Sequence, residues 1–303
     1  MKRLALTAMR TGFQFGSAVA PRTTGRIALG LFRRPFDPMG PNPRKAQVIE
    51  AGRTRFAAAE SHRIRHGSGH VQAYRFLPDP TLDRGQTVGL VHGWANQAYF
   101  MRAFVDGLTA AGFRVVALDL PAHGDSTGRE TDPLDGARAL QAVAAALGPF
   151  DGLVGYSFGG SVTAFAVEGR RPLTTALAVK RLALVSAPDA IVDITRRFGA
   201  MTGLGKAAQS AFEQVLTRRS GRSVDDLSVS RIIAKLDLPV LVVHARDDRE
   251  IPFSDAEALA QASATTRFLP VDGLGHRRIL YAPEVVSAVA GFMQGLENPR
   301  FPQ

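Results

Sequence analysis

Leu153-Val154-Gly155-Tyr156-Ser157-Phe158-Gly159-Gly160 reads as a buried strand that runs through a glycine-flanked serine into the small-residue start of a helix. A serine at such a strand-to-helix turn is held in a strained backbone conformation, and side chains two residues to either side would collide with it. Gly155 and Gly159 are therefore steric requirements, and the turn lifts the Ser157 hydroxyl to the top of a sheet above a helix amino terminus. Those are the needs of a serine nucleophile.

The same spacing recurs at Gly124-Asp125-Ser126-Thr127-Gly128, in a different setting. The upstream run Val115-Val116-Ala117-Leu118 has ended by Pro121, and charged and turn residues follow down to Pro133 instead of a helix. Context thus selects Ser157 and leaves Ser126 as a loop residue.

From residue 87 onward, short apolar runs at 87–92, 113–118, 151–156, 181–186, 239–244 and 266–270 alternate with helical patterns, among them 98–111, 134–147 and 158–168. This alternation predicts an α/β fold with a mostly parallel sheet and helices on both faces. Residues 53–60 and 71–77 read as two further strands, an antiparallel hairpin at the sheet edge. One segment breaks the rhythm. Between the strand ending near Ser186 and the one starting near Pro239 lie helical patterns at 193–199, 206–216 and 224–236, more than a crossover requires. The expected division is a basic extension at 1–45, a core at 46–188 and 237–298, and a helical cap insertion at 189–236 that sits over the site. Apolar positions such as Ile191, Ile194, Phe198, Met201, Leu204, Phe212 and Leu216 would give the cap its packing face.

The 303 residues carry a net charge of +10, but only five of the 37 basic residues are lysines, and the arginines are scattered without an aromatic-interleaved stripe. That is a solvated basic surface rather than a nucleic-acid interface. No apolar run approaches the roughly 20 residues that cross a bilayer. The absence of cysteine removes disulfides, thiolate chemistry and cysteine-held metals.

Ligands of open α/β sheets bind at the carboxyl ends of the strands. Those ends are His92-Gly93-Trp94, then Asp119 to Gly124, Ser157, Asp189, the pair Asp247-Asp248, and His276. Of seven histidines, three (His62, His66, His70) precede the core sheet, and His244 lies inside an apolar strand. His92 and His123 sit in turns, where a histidine shapes the loop. His276, in the glycine-rich run after the last strand, can deliver an imidazole over the sheet edge. For the acid that orients it, Asp248 stands on a turn closed by Ile251-Pro252, 28 residues before His276 (276 − 248), with Asp247 and Asp189 as competitors.

Together these residues resemble the α/β-hydrolase superfamily over about residues 50 to 296, in the family's order of nucleophile, acid and histidine. Val91-His92-Gly93-Trp94 looks like its oxyanion loop, and Asp119 to Ser126 like the turn after its next strand, with Ala122 where glycine is common. The resemblance implies an ester-cleaving serine hydrolase with Ser157, His276 and Asp248 as triad and no metal or organic cofactor. The backbone N–H groups of Phe158 and Trp94 would meet the oxyanion, with Trp94 and Tyr156 lining the substrate site and a small acyl ester as partner. Thioester, lipid, amide or lactone cleavage, acyl transfer, C–C hydrolysis and a binding module without turnover remain open alternatives.

The amino terminus begins like a secretory signal, with Met1-Lys2-Arg3 ahead of Leu4-Ala5-Leu6 and a cleavage-like Ala18-Val19-Ala20. Arg10 interrupts the apolar region and Pro21 blocks the cleavage position, so the expectation is an uncleaved, cytoplasmic protein. Residues 1–34 would either pack as helices on the hydrolase body or lie on an anionic membrane surface. The oligomeric state is not legible.

Overall fold

The computed structural model describes residues 2–35 and 43–296. The proline-rich run at 36–42 and the last two residues of the expected core, 297–298, lie outside them. Eight strands form one sheet: β1 (Glu60–His66), β2 (Gly69–Phe76), β3 (Thr87–Val91), β4 (Arg114–Leu118), β5 (Gly152–Tyr156), β6 (Arg181–Val185), β7 (Val240–Ala245) and β8 (Thr266–Val271). Their order is β1-β2-β4-β3-β5-β6-β7-β8. β1 and β2 pair antiparallel as the expected edge hairpin, β2 pairs antiparallel with β4, and every later pairing is parallel. Because β3 lies between β4 and β5, the crossovers diverge there and open a crevice at the carboxyl ends of β3 and β5.

The helices are α1 (Lys2–Val19), α2 (Pro21–Phe32), α3 (Pro43–Phe56), α4 (Arg102–Ala110), α5 (Pro133–Leu147), α6 (Phe158–Glu168), α7 (Ile191–Thr202), α8 (Lys206–Ser220), α9 (Val229–Ile233), α10 (Phe253–Ala260), α11 (Gly275–Arg278) and α12 (Pro283–Gln294). β5 and β7 are buried along their whole length, as strands covered on both faces must be. Successive side chains divide between two cores. Leu153, Leu182 and Val240 pack with α5, α6, α9 and α10, while Val154, Ala183 and Leu241 pack with α3, α4 and α12. Fully buried anchors such as Phe104 and Phe165 each contribute about 1.5–3 kcal/mol.

Two expectations are corrected. Of the strand read at 53–60, residues 53–56 are the end of α3 and 57–59 a turn, so the hairpin's first strand begins only at Glu60. Phe56 is what recruits this stretch to a helix: buried, it packs edge-on against Tyr74, Phe76 and Tyr99 at 5.1, 4.8 and 4.9 Å. The domain boundary at 45/46 therefore falls inside a helix. The insertion also closes earlier than 236. Ala190 bridges Ser228, Ile191 N–H donates to Leu227 O (3.0 Å) and Val229 N–H donates to Asp189 O (3.0 Å), so a neck seals the segment at Ser228. α9 beyond it packs on the same core as α6, as the crossover helix. The C-terminal end of α8 is tied down along α6 by buried Arg222, whose guanidinium donates to both carboxylate oxygens of Glu168 at 2.6 and 3.1 Å.

Candidate active site

Ser157 terminates β5 with φ 52° and ψ −121°, a conformation that costs a non-glycine residue about 1–3 kcal/mol. The surroundings hold it there. Ser157 N–H donates to Val185 O at 2.9 Å, and its carbonyl accepts from Gly160 N–H at 2.8 Å in the first turn of α6. The glycine requirement is literal: a Cβ on Gly155 would lie 2.5 Å from Gly159 O, and one on Gly159 would strike the carbonyl oxygens of Val91 and His92.

His276 Nε2 lies 3.1 Å from Ser157 Oγ, and its Nδ1 lies 2.7 Å from Asp248 Oδ2. Of the three candidate carboxylates, Asp248 is the one within hydrogen-bond reach of His276. Its other oxygen accepts the N–H groups of Glu250 (2.8 Å) and Ile251 (2.9 Å), which pins the acid to its turn. Burial by itself would raise its pKa, but the hydrogen bond and charge of His276 and those two N–H donors outweigh it and hold the carboxyl below the usual range. Asp189 is elsewhere, accepting from Ser228 Oγ (3.0 Å) and Ser230 N–H (2.8 Å) at the neck of the insertion. Asp247 accepts Gly275 N–H at 3.0 Å and so tethers the loop that carries His276.

Tyr156 does not line the substrate site as the sequence suggests. It is 1% exposed, lies beneath His276 with ring centroids 5.2 Å apart, and donates its hydroxyl to His276 O at 2.9 Å. Strand alternation explains this: Tyr156 is on the opposite face of β5 from its neighbours, among the side chains that pack with α4 and α12.

The loop after β3 closes the other side. A Cβ on Gly93 would lie 3.1 Å from Ser157 Cβ, so this backbone passes directly over the serine. The rings of Trp94 and Phe158 meet edge-on at 4.9 Å. Phe158 is the first residue of α6, where a backbone N–H has no acceptor within the helix. Two neutral histidines shape the loop. His92 Nε2 accepts Leu120 N–H (3.0 Å), while Nδ1–H donates to Gly93 O (2.8 Å). His123 Nε2 accepts Ala95 N–H (3.0 Å) and Nδ1–H donates to Pro121 O (3.0 Å). Burial drives their pKa values down to about 3 and about 4, which keeps both rings neutral and able to accept.

The contacts of three residues, Lys45, Glu250 and His244, have no counterpart in the sequence reading. Lys45, on α3, donates to Ala95 O at 2.8 Å and so reaches the same loop from the far end of the chain. Glu250 Oε2 lies 4.0 Å from His276 Nε2, and Glu250 O lies 3.5 Å from Arg197 Nη1 of α7. His244, fully buried as expected, has its Nε2 3.2 Å from Ile251 O and 3.5 Å from Asp248 Oδ2. The Lys45, Arg197 and His276 contacts join elements brought together only by packing, whereas those of His244 are local to the turn that follows β7.

The profile of the alpha/beta hydrolase family matches residues 90–289, two thirds of the chain. The chain belongs to the alpha/beta hydrolase family. Solved structures agree on the fold. Est1E from Butyrivibrio proteoclasticus is 18% identical with a TM-score of 0.61, over 78% of this chain and 98% of that one. A membrane phospholipase A described as a bacterial virulence factor is 19% identical with a TM-score of 0.61, over 84% and 91%. A bromoperoxidase from Bacillus anthracis is 17% identical with a TM-score of 0.57, over 78% and 100%. No curated relative matches the sequence. This hydrolase therefore shares its architecture with proteins of differing chemistry, and its own reaction must be argued from its site.

Proposed function

We propose that this hydrolase cleaves carboxylic esters through an acyl-enzyme on Ser157. The observation that carries the reading is the unbroken chain Ser157 Oγ, His276 and Asp248, with links of 3.1 and 2.7 Å, at the crevice between β3 and β5. Asp248 takes the Nδ1–H of His276, which leaves the Nε2 lone pair facing the serine hydroxyl. Ser157 Oγ attacks the acyl carbon while Nε2 accepts its proton, and Asp248 stabilises the imidazolium. The tetrahedral oxyanion is met by the N–H groups of Phe158 and Trp94, a pair of donors of which each is worth about 3 kcal/mol in related chemistry. His276 then protonates the departing alkoxide, and water, activated by the same imidazole, releases the acid and regenerates Ser157.

Trp94 and Phe158 form the apolar wall beside the nucleophile, and the insertion 189–228 supplies substrate selection from α7, whose Arg197 reaches the Glu250 loop. Labelling with a fluorophosphonate followed by peptide mapping tests the nucleophile; modification of Ser157 is the expected result, and an unlabelled protein refutes the reading. Parallel assays with p-nitrophenyl esters and acyl thioesters of equal chain length test the bond type, and a higher kcat/KM for the thioester would overturn the ester assignment.

A further inference from the structure

Packing on the body and lying on a membrane looked like alternatives in the sequence; the two faces of the amino-terminal hairpin separate them. The inner face is packed. Phe13, Ala28 and Leu29 are buried, and Phe32 meets Phe198 of α7 and Phe212 of α8 at 5.3 and 5.4 Å. A Cβ on Gly25 would lie 2.6 Å from Ala208 O and 2.7 Å from Phe212 N, and Gly205 N–H donates to Ser17 Oγ at 3.0 Å. α1 and α2 are thus built onto the insertion.

The outer face has no such cover among the described residues. Phe15, Val19 and Ile27, at 71%, 67% and 61%, are the three most exposed large apolar side chains of those residues. On the same hairpin, α2 and α8 enclose a cavity of about 270 Å³ lined by Arg22, Arg26, Ala211, Gln214, Val215 and Arg218. Neighbouring arginines on these helices are neutralised: Arg33 binds Glu130 (2.7 Å) and Asp132 (3.1 Å), and Arg219 lies 3.8 Å from Asp132. Arg22, Arg26 and Arg218 have no carboxylate partner among the described residues. Arg22 and Arg26 are also four apart on one helix, a spacing at which like charges repel. An anion in the cavity relieves that repulsion. The first 36 residues of the chain hold seven basic side chains and no acidic one, and the one carboxylate of α8, Glu213, is half-buried and accepts from Gln209 Nε2 at 2.7 Å.

We propose that the hairpin and α8 form a docking surface for an anionic lipid bilayer. Headgroup phosphates occupy the Arg22, Arg26 and Arg218 cavity, and Phe15, Val19 and Ile27 enter the boundary between headgroups and acyl chains. No helix among the described residues is long and apolar enough to cross a membrane, so the contact is peripheral. The inference stands apart from the ester chemistry, since none of its residues belongs to the Ser157 site.

The test is co-sedimentation of the full chain with vesicles of phosphatidylcholine alone, or of phosphatidylcholine mixed with phosphatidylglycerol, at rising salt. Binding is expected to the mixed vesicles only and to weaken with salt. The variant carrying Arg22→Ala, Arg26→Ala and Arg218→Ala should bind roughly a hundredfold more weakly, the effect of three surface cations. Phe15→Ser with Val19→Ser and Ile27→Ser should weaken binding as well. Both variants should keep the parent's thermal transition and its turnover of a short soluble ester, because the altered side chains are exposed. Absent binding, equal binding to neutral vesicles, or undiminished binding by the arginine variant would overturn the proposal. So would inorganic phosphate raising the thermal transition of a chain that ignores vesicles, which would assign the cavity to a soluble anion. A shift from dimer to monomer in the apolar variant, without any vesicle effect, would mean that a second copy covers the face.

Discussion

Two loops of this hydrolase carry the same glycine-x-serine-x-glycine spacing and have opposite fates. At Ser157 the hydroxyl faces His276, and the backbone is held at positive φ by the strand-to-helix turn. At Ser126 the hydroxyl is consumed by structure, donating to Asp119 O at 2.7 Å and accepting Gln72 N–H at 2.8 Å. The first bond closes the loop after β4 on itself and the second fastens it to β2, while its His123 supports the loop after β3. A serine becomes available for chemistry when the backbone leaves it no local partner and a second element brings it a base. The five-residue pattern alone distinguishes neither condition.

The comparison breaks most visibly in turnover. Ser157→Ala should lower kcat on a p-nitrophenyl ester by at least about 10⁴-fold, whereas Ser126→Ala should leave it close to the parent value; steady-state kinetics of the pair decides. Loss of activity in the Ser126 variant, with Ser157→Ala still active, would reverse the assignment. Next in size is Asp248→Asn, which should cost kcat about 10⁴-fold with a modest change in KM, because the wrong imidazole tautomer then faces the serine. Asp189→Asn is the matched control: its carboxylate serves the neck of the insertion, so stability rather than kcat should respond.

The structural loop should answer in stability. Ser126→Ala leaves the Gln72 N–H without its acceptor and should lower unfolding free energy by about 1–3 kcal/mol, measurable by urea titration. The smallest effect is in the pH dependence of that stability. Folded His123 and His92 titrate near 4 and 3, below the ordinary 6.5 of the unfolded chain. Between those values the unfolded state binds more protons, so their contribution is complete above about pH 6.5 and is lost as pH falls. Buried Asp119, pushed up to about 6, acts in the opposite sense between its ordinary 3.8 and 6 and offsets part of the loss. Urea titrations across this range should show stability falling towards pH 4, and His123→Gln should flatten the slope by up to about 1.4 kcal/mol per pH unit.

Much of the site was legible because it is written in short range. The Ser157 turn needs small residues at fixed offsets, Asp248 needs a turn closed by Ile251-Pro252, and His276 needs a loop after the last strand; each leaves a local mark. Tyr156 departs from the sequence expectation because adjacency to Ser157 in the chain is not adjacency in space: strand alternation sends it to the other face. The strand expected at 53–60 failed for a related reason. Phe56 and its neighbours have no strong helical pattern of their own, and the aromatic cluster with Tyr74, Phe76 and Tyr99 decides their conformation.

By itself, the sequence determined the alternation of strands and helices, the different settings of Ser157 and Ser126, His276 and three aspartates as candidate base and acids, and the presence of an insertion after β6. These follow from hydrophobic periodicity and backbone sterics, which act over a few residues. Only the tertiary structure decided which of three aspartates meets His276, that Asp247 and Tyr156 hold the histidine loop from two sides, and that Lys45 reaches Ala95 from the amino-terminal end. It also decided that one face of the amino-terminal hairpin is packed and the other bare. Such pairings join residues tens to hundreds of positions apart, and their partners are selected by the shape of the packed core, which no local pattern records.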